Sequence, residues 1–224
     1  MSMLLALDTS TQTAGIALYD GAQIIGESIW RTHAHHTIEV APAISSLLGR
    51  CRVSPTDFDA LGVALGPGSF TSLRIGLSLA KGLALALRIP IIGIPTLDIL
   101  TAAQSLQQLP LAAVLPAGRG RLAIGWYSAG KQTWVARGEP KVTTAQALFE
   151  QIEEPTLVCG ELTAADRQLL ARKRRLIILA TPAISLRRPS FLAELAWKRW
   201  RAGKTDDVIS LAPIYLQTVE AAAV

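Results

Sequence analysis

Residues 3–30 read MLLALDTSTQTAGIALYDGAQIIGESIW. The apolar run from Met3 to Leu7 gives way to Asp8, Thr9, Ser10 and Thr11, as a buried strand ends in a turn. Asp20-Gly21 then separates two β-prone runs, a hairpin signal. The stretch therefore predicts three antiparallel strands in a meander. Beyond it, Ile38, Ala41, Ile44, Leu47 and Leu48 recur at helical spacing, which predicts a helix over Thr37–Leu48 stopped by Gly49. FDALGVALG (58–66) reads as a strand, GPGSFTSLRIGLSLAKGLALAL (66–87) as a loop and helix, IPIIGI (89–94) as a strand and TLDILTAAQSLQQL (96–109) as a helix.

The pattern restarts after residue 110. LAAVLPAG, RLAIGWYSAG and KQTWVARG predict three strands with glycine turns between them. TTAQALFEQI is a helix, PTLVCG a strand, TAADRQLLARK a helix and RLIIL a strand. PSFLAELAWKRWRAG closes the series as a helix, with Pro189 and Ser190 at its start and Gly203 at its stop. Each half thus runs β-β-β-α-β-α with variations, the layout of an RNase H-like domain. The expected fold is α/β, with two tandem RNase H-like domains in the actin-like ATPase (ASKHA) architecture. Residues 1–105 form the first domain and 106–224 the second, the last segment being a candidate to return to the first.

Half of the 224 residues are hydrophobic and 17% are charged, the balance of a soluble, well-packed chain. No stretch of about 18 residues is free of charge and proline breaks, so no membrane span is expected. The N-terminus lacks the basic segment of a signal peptide. Cys51 and Cys159 sit in no metal or redox motif and read as lone buried thiols. A cytoplasmic location follows. The net charge of +5 is unevenly placed: residues 1–109 carry 6 Lys/Arg and 7 Asp/Glu, whereas residues 110–224 carry 16 and 10. A basic half permits contact with nucleic-acid phosphates. No aromatic residue alternates with Arg172–Arg175, so base stacking is not indicated there.

Two readings stay open for the polar turns. Asp8, Thr9 and Ser10 at a strand end suit a metal–phosphate group, or simply an Asx or Ser/Thr turn. Gly66 and Gly68 allow backbone close to an anion at a helix start that Ser69 or Thr71 would cap, or make a tight turn. The Lys-Ser/Thr ending of a Walker A loop is missing. ATP binding is therefore only weakly indicated, and no cofactor is required. His33, His35 and His36 cluster but form no helical His-x3-His pair, so no metal site is assigned. No GxSxG elbow is present.

Helix 70–87 has almost no polar face. Arg74, Lys81 and Arg88, seven apart, mark one narrow stripe, while Ser72, Gly76, Ala80 and Ala84 form a ridge of small residues that lets a second helix approach. Gly76 costs about 1 kcal/mol of helix stability relative to Ala, which close packing would offset. This predicts an intermolecular interface built from His36, Ile38, Ala41, Ile44 and Leu48 on the first helix. Leu73, Gly76, Leu77, Ala80, Leu83 and Ala84 would supply the second.

LLALDTSTQTAGIALYD, LGPGSFTSLRIGLSLAKGLAL and IPIIGIPTLD together resemble the TsaB (YeaZ) family over most of the first 105 residues. His36-Thr37 with Pro42 and the C-terminal APIYLQ resemble further family elements. The resemblance implies a non-catalytic scaffold for TsaD in threonylcarbamoyl transfer to the tRNA adenosine beside the anticodon (t6A). It implies a TsaD heterodimer, TsaE in a larger complex, a homodimer in isolation, dimer contacts through the first two helices, and indirect contact with tRNA. The alternative is an enzyme with its own cleft, a nucleotide-binding ATPase or a metallopeptidase-like hydrolase. The chain departs from the family at Ser72, where Gly is usual, and at Pro116, which stands in an Asp position.

Overall fold

The structure, a computed structural model, describes residues 2–32 and 36–216. Two sheets organise it. The first holds β1 (Met3–Asp8), β2 (Thr13–Tyr19), β3 (Ile24–Arg31), β4 (Phe58–Gly66) and β5 (Ile91–Pro95) in the order β3-β2-β1-β4-β5. β1, β2 and β3 pair antiparallel, while β1, β4 and β5 run parallel. Burial on both faces requires near-continuous apolar runs in the central strands, and β1 is buried along its whole length.

Period-two alternation divides that sheet between two helical layers. Leu5 and Leu7 face α1 (His36–Cys51) and α2 (Phe70–Leu87). Leu4 and Ala6 face Leu192, Ala193 and Ala196 of α6 (Pro189–Arg201) and Ile99 of α3 (Thr96–Ala102). α1 continues past Gly49, whose exposed position meets no neighbour, so no clash or burial penalises the extra turn. α3 is shorter than the apolar pattern predicts. Past Ala102 the chain turns, with Gln104 Nε2 donating to the Ile184 carbonyl at 2.6 Å.

The second sheet repeats the plan. β6 (Leu111–Pro116), β7 (Leu122–Ala129), β8 (Trp134–Ala136), β10 (Thr156–Gly160) and β11 (Ile177–Leu179) lie in the order β11-β10-β6-β7-β8. β9 (Lys141–Thr143), too short to leave a sequence signal, adds to β7. α4 (Ala145–Gln151) and α5 (Ala164–Ala171) cover one face through Ala145, Leu148 and Leu170. On the other face Leu97 and Leu100 of α3 pack with Leu111, Ala113 and Leu115 of β6, so α3 is a wedge shared by both sheets.

After β11 the chain returns to the first sheet. α6 crosses β1, β2, β4 and β5, and the segment after it bonds to the edge of β5 through Asp206 N and the Ile91 carbonyl at 3.0 Å. The arrangement is two RNase H-like units in the actin-like ATPase architecture. By length and composition α2 alone among the described helices could cross a membrane. Its inner side, Ser72, Leu73, Gly76, Leu77, Ala80 and Ala84, is buried on the first sheet, while Leu85 is exposed and Ile75, Leu79 and Leu83 are only partly covered.

Candidate functional site

Asp8, at the end of β1, is buried, and so is Arg187, just before α6. Arg187 Nε donates to Asp8 Oδ2 at 3.1 Å, and Nη2 donates to Thr11 Oγ1 at 3.0 Å and the Thr13 carbonyl at 2.8 Å. Nη1 completes an ion pair with Glu161 Oε1 at 3.0 Å, at the exit of β10 in the second sheet. Thr11 Oγ1 also donates to Glu161, at 3.1 Å. The other Asp8 oxygen accepts the Ser10 N–H at 2.8 Å. The carboxylate that suits a metal–phosphate group is thus engaged by the chain's own guanidinium.

The glycine loop is closed in the same way. Ser69 N donates to the Ser10 carbonyl at 2.7 Å, and Gly66 N donates to Thr96 Oγ1 at 2.8 Å. Thr96 Oγ1 in turn bonds Ser10 Oγ at 2.8 Å. A Cβ at Gly68 would lie 2.2 Å from the Ser10 carbonyl oxygen, so this glycine serves contact between two loops of one chain. Ser69 holds the N-cap position of α2, yet its Oγ accepts from Ser72 Oγ at 3.0 Å and caps no backbone N–H. The structure brings Asp8, Thr9, Ser10, Gly66, Gly68 and Ser69 together. They form an internal hydrogen-bonded network in which both Asp8 oxygens are already engaged, which does not fit a magnesium nucleotide.

The small-residue ridge of α2 faces inward, which corrects the expected interface. Ser72, Leu73, Gly76, Leu77, Ala80 and Ala84 are buried in the chain's own core. A Cβ at Gly76 would lie 2.1 Å from Thr9 Oγ1, which itself donates to the Ser72 carbonyl at 2.7 Å. The close approach that Gly76 permits is to β1's exit loop, not to a second helix. On α1, Ile44 and Leu48 are likewise buried, and His36 donates from Nε2 to the Thr11 carbonyl at 3.0 Å. Ile38, 67% exposed, and Ala41 remain on the outer surface, and Leu83 is half-buried. His33 and His35 lie outside the described residues. Among those residues no three His, Cys, Asp or Glu side chains gather closely enough to hold a metal.

What α1 and α2 do present outward is a groove of about 460 Å³. Its walls include Thr37 and Ala41 of α1 and Phe70, Arg74, Ile75 and Leu79 of α2. Phe70 is 54% exposed and stacks on Tyr215 at 4.9 Å, with the Arg74 guanidinium 3.6 Å above its ring. Arg74 Nε donates to Tyr215 Oη at 2.8 Å, and Lys81 Nζ to the Ile209 carbonyl at 2.9 Å. The polar stripe of α2 therefore anchors the C-terminal segment. Neither that anchorage nor the role of Arg187 is legible in the sequence, because partners 141 and 179 residues away leave no local spacing.

Two further groups are shifted by burial. The Tyr127 hydroxyl, raised by burial and then by the charge of Asp98 and its 2.8 Å hydrogen bond to that carboxylate, ties β7 to α3. Burial also raises the Asp98 carboxyl, against the pull of that hydrogen bond. Both hold the two halves together rather than face a ligand.

A family model described as TsaD, tRNA N6-adenosine threonylcarbamoyltransferase, matches residues 26–223. The tRNA threonylcarbamoyladenosine biosynthesis protein TsaB of Bacillus subtilis is 34% identical over 98% of this chain and 96% of its own length. The TsaB of Escherichia coli is 26% identical over 96% of this chain and 94% of its own. Among solved structures, YeaZ from Pseudomonas aeruginosa superposes with a TM-score of 0.78 at 26% identity, covering 96% of this chain and all of that one.

Proposed function

The chain belongs to the TsaB family, within the wider group that the TsaD family model describes, and on that premise we propose that it is a scaffold subunit in t6A formation. It binds TsaD, the subunit that carries the transfer, and does no chemistry of its own. The outer face of α1 and α2, with Ile38 exposed on α1 and Ala41, Phe70 and Ile75 lining the groove, is the contact surface for TsaD and for a second copy of this chain. TsaE joins as a further member of the assembly, in the cytoplasm where tRNA is modified.

The observation that carries this reading is the contrast between two places in one domain. The cleft carboxylate, Asp8, is neutralised internally by Arg187, whereas α1 exposes Ile38 and, with α2, carries a groove lined by Ala41, Phe70, Ile75 and Leu79. Exposed apolar side chains rimmed by polar ones mark protein interfaces. The same contrast disfavours an ATPase or hydrolase working in its own cleft. The test is reconstitution with TsaD from the same organism, reading t6A on tRNA by mass spectrometry. Formation that requires this chain supports the reading, and equal formation without it removes the reading.

A further inference from the structure

Arg74 stands on the wall of the groove between α1 and α2 with no counter-ion. Its guanidinium lies 3.6 Å from the centre of the Phe70 ring, and Nε donates to Tyr215 Oη at 2.8 Å. Phe70 and Tyr215 stack on each other at 4.9 Å, so the three side chains hold one another in place. Arg74 is nonetheless exposed. Among the described residues it makes no ion pair, and Nη1 and Nη2 donate to none of them. The two helices bring no acid to the groove. α2 contains no Asp or Glu, and the one acid of α1 is Glu39. Glu39 stands two residues from each of the groove-lining Thr37 and Ala41, about half a turn round the helix from both. It is half-buried and accepts the Trp30 indole N–H at 2.8 Å. Asp207 of the C-terminal segment lies near Lys81, about two turns further along α2. Glu139 lines the separate cleft that Tyr215 also borders.

Anchoring Tyr215 uses one of five guanidinium donors and needs no charge. What the fold leaves over is a positive fork already pinned by a ring stack and a hydrogen bond. Such a group loses little freedom on binding, and its two terminal nitrogens match a carboxylate. We propose that Arg74 takes a carboxylate of TsaD, set beside an apolar side chain that enters the groove, and that this pair favours TsaD over a second copy of this chain. In a two-fold contact between copies the same two helices meet each other. They offer Arg74 no exposed carboxylate, because Glu39 is turned from the groove and held by Trp30. The inference rests on the scaffold reading above and adds to it the residue that tells the two partners apart.

The experiment titrates the full chain with TsaD in sedimentation runs from about 50 to 300 mM salt, and measures self-association of the chain alone over the same range. Arg74→Gln should lower the affinity for TsaD about tenfold at low salt and flatten its salt dependence, while self-association stays unchanged. Arg74→Lys should keep the salt dependence and lose part of the affinity, since it keeps the charge without the planar fork. Arg88→Gln, which removes the same charge from an exposed residue just past the end of α2, should change neither. Equal affinity and equal salt dependence in folded Arg74→Gln overturn the inference. So does an equal weakening of self-association, or an equal effect of Arg88→Gln. TsaD binding that is lost in an Ile38→Asp, Ala41→Glu variant but indifferent to Arg74 leaves the scaffold reading standing and removes this inference alone. A parent chain that does not bind TsaD removes both.

Discussion

Asp8 and Arg187, 179 residues apart in the chain, meet at 3.1 Å with side chains only 2% and 1% exposed. A guanidinium so enclosed fixes the β1 exit, the loop to β2 and, through Glu161, the second sheet. Removing one member of a buried pair leaves the other charged and unsolvated, at a cost of about 3–5 kcal/mol. Arg187→Ala should lose that much in urea unfolding. Asp8→Asn with Arg187→Met should recover a substantial part of it. A single variant within about 1 kcal/mol of the parent would contradict the placement.

Gly76 and Ile38 separate folding from association. The Cβ of Gly76→Ala would meet Thr9 Oγ1, which is held by the Ser72 carbonyl, so the fold itself should lose about 1–3 kcal/mol. Ile38→Asp lies on the exposed side of α1 and should leave the unfolding midpoint nearly unchanged. Thermal unfolding of both variants, read beside light scattering, checks the distinction. A stable Gly76→Ala protein would place the ridge outward again.

Acid should loosen the junction of β3 and α6. Burial pushes the Glu27 carboxyl up, but the Arg188 guanidinium and the Ser190 hydroxyl and N–H together hold it below its ordinary value. A depressed folded pKa contributes stability that is full above the unfolded value, about 4.3, and is lost as pH falls through the folded value. Glu27→Gln should therefore be less stable than the parent at pH 6, with the gap narrowing below about pH 4. A gap that stays constant over that window contradicts the assignment.

The two thiols should differ in reactivity. Burial pushes Cys159 up to about 12, so almost no thiolate forms near neutrality. Cys51 is half-buried at the end of α1, not enclosed as the sequence reading has it. One thiol per chain should react with a maleimide in the native state and two after denaturation. Rapid native labelling of Cys159 would show that the second sheet is open.

The first sheet was legible because local signals agree: Asp20-Gly21 fixes the hairpin, and alternating Leu and Ala in β1 fix two covered faces. α2 could be bounded at 70–87 for the same reason. Its orientation could not. A ridge of Ser72, Gly76, Ala80 and Ala84 invites close approach equally from a helix or from the chain's own strand loop, and Thr9 settles it. Arg187 gave no signal, since adjacent arginines before Pro189 read as surface. β9, three residues long, has too little alternation to detect.

On the function proposed above, the outer face of α1 and α2 holds TsaD. Sedimentation of TsaD with the parent chain and with an Ile38→Asp, Ala41→Glu variant tests it most directly. We expect a complex with the parent and an affinity lower by about 30-fold or more in the variant, the loss expected when central interface contacts are replaced by charge. Equal affinity for the folded variant would place the TsaD contact elsewhere on the molecule.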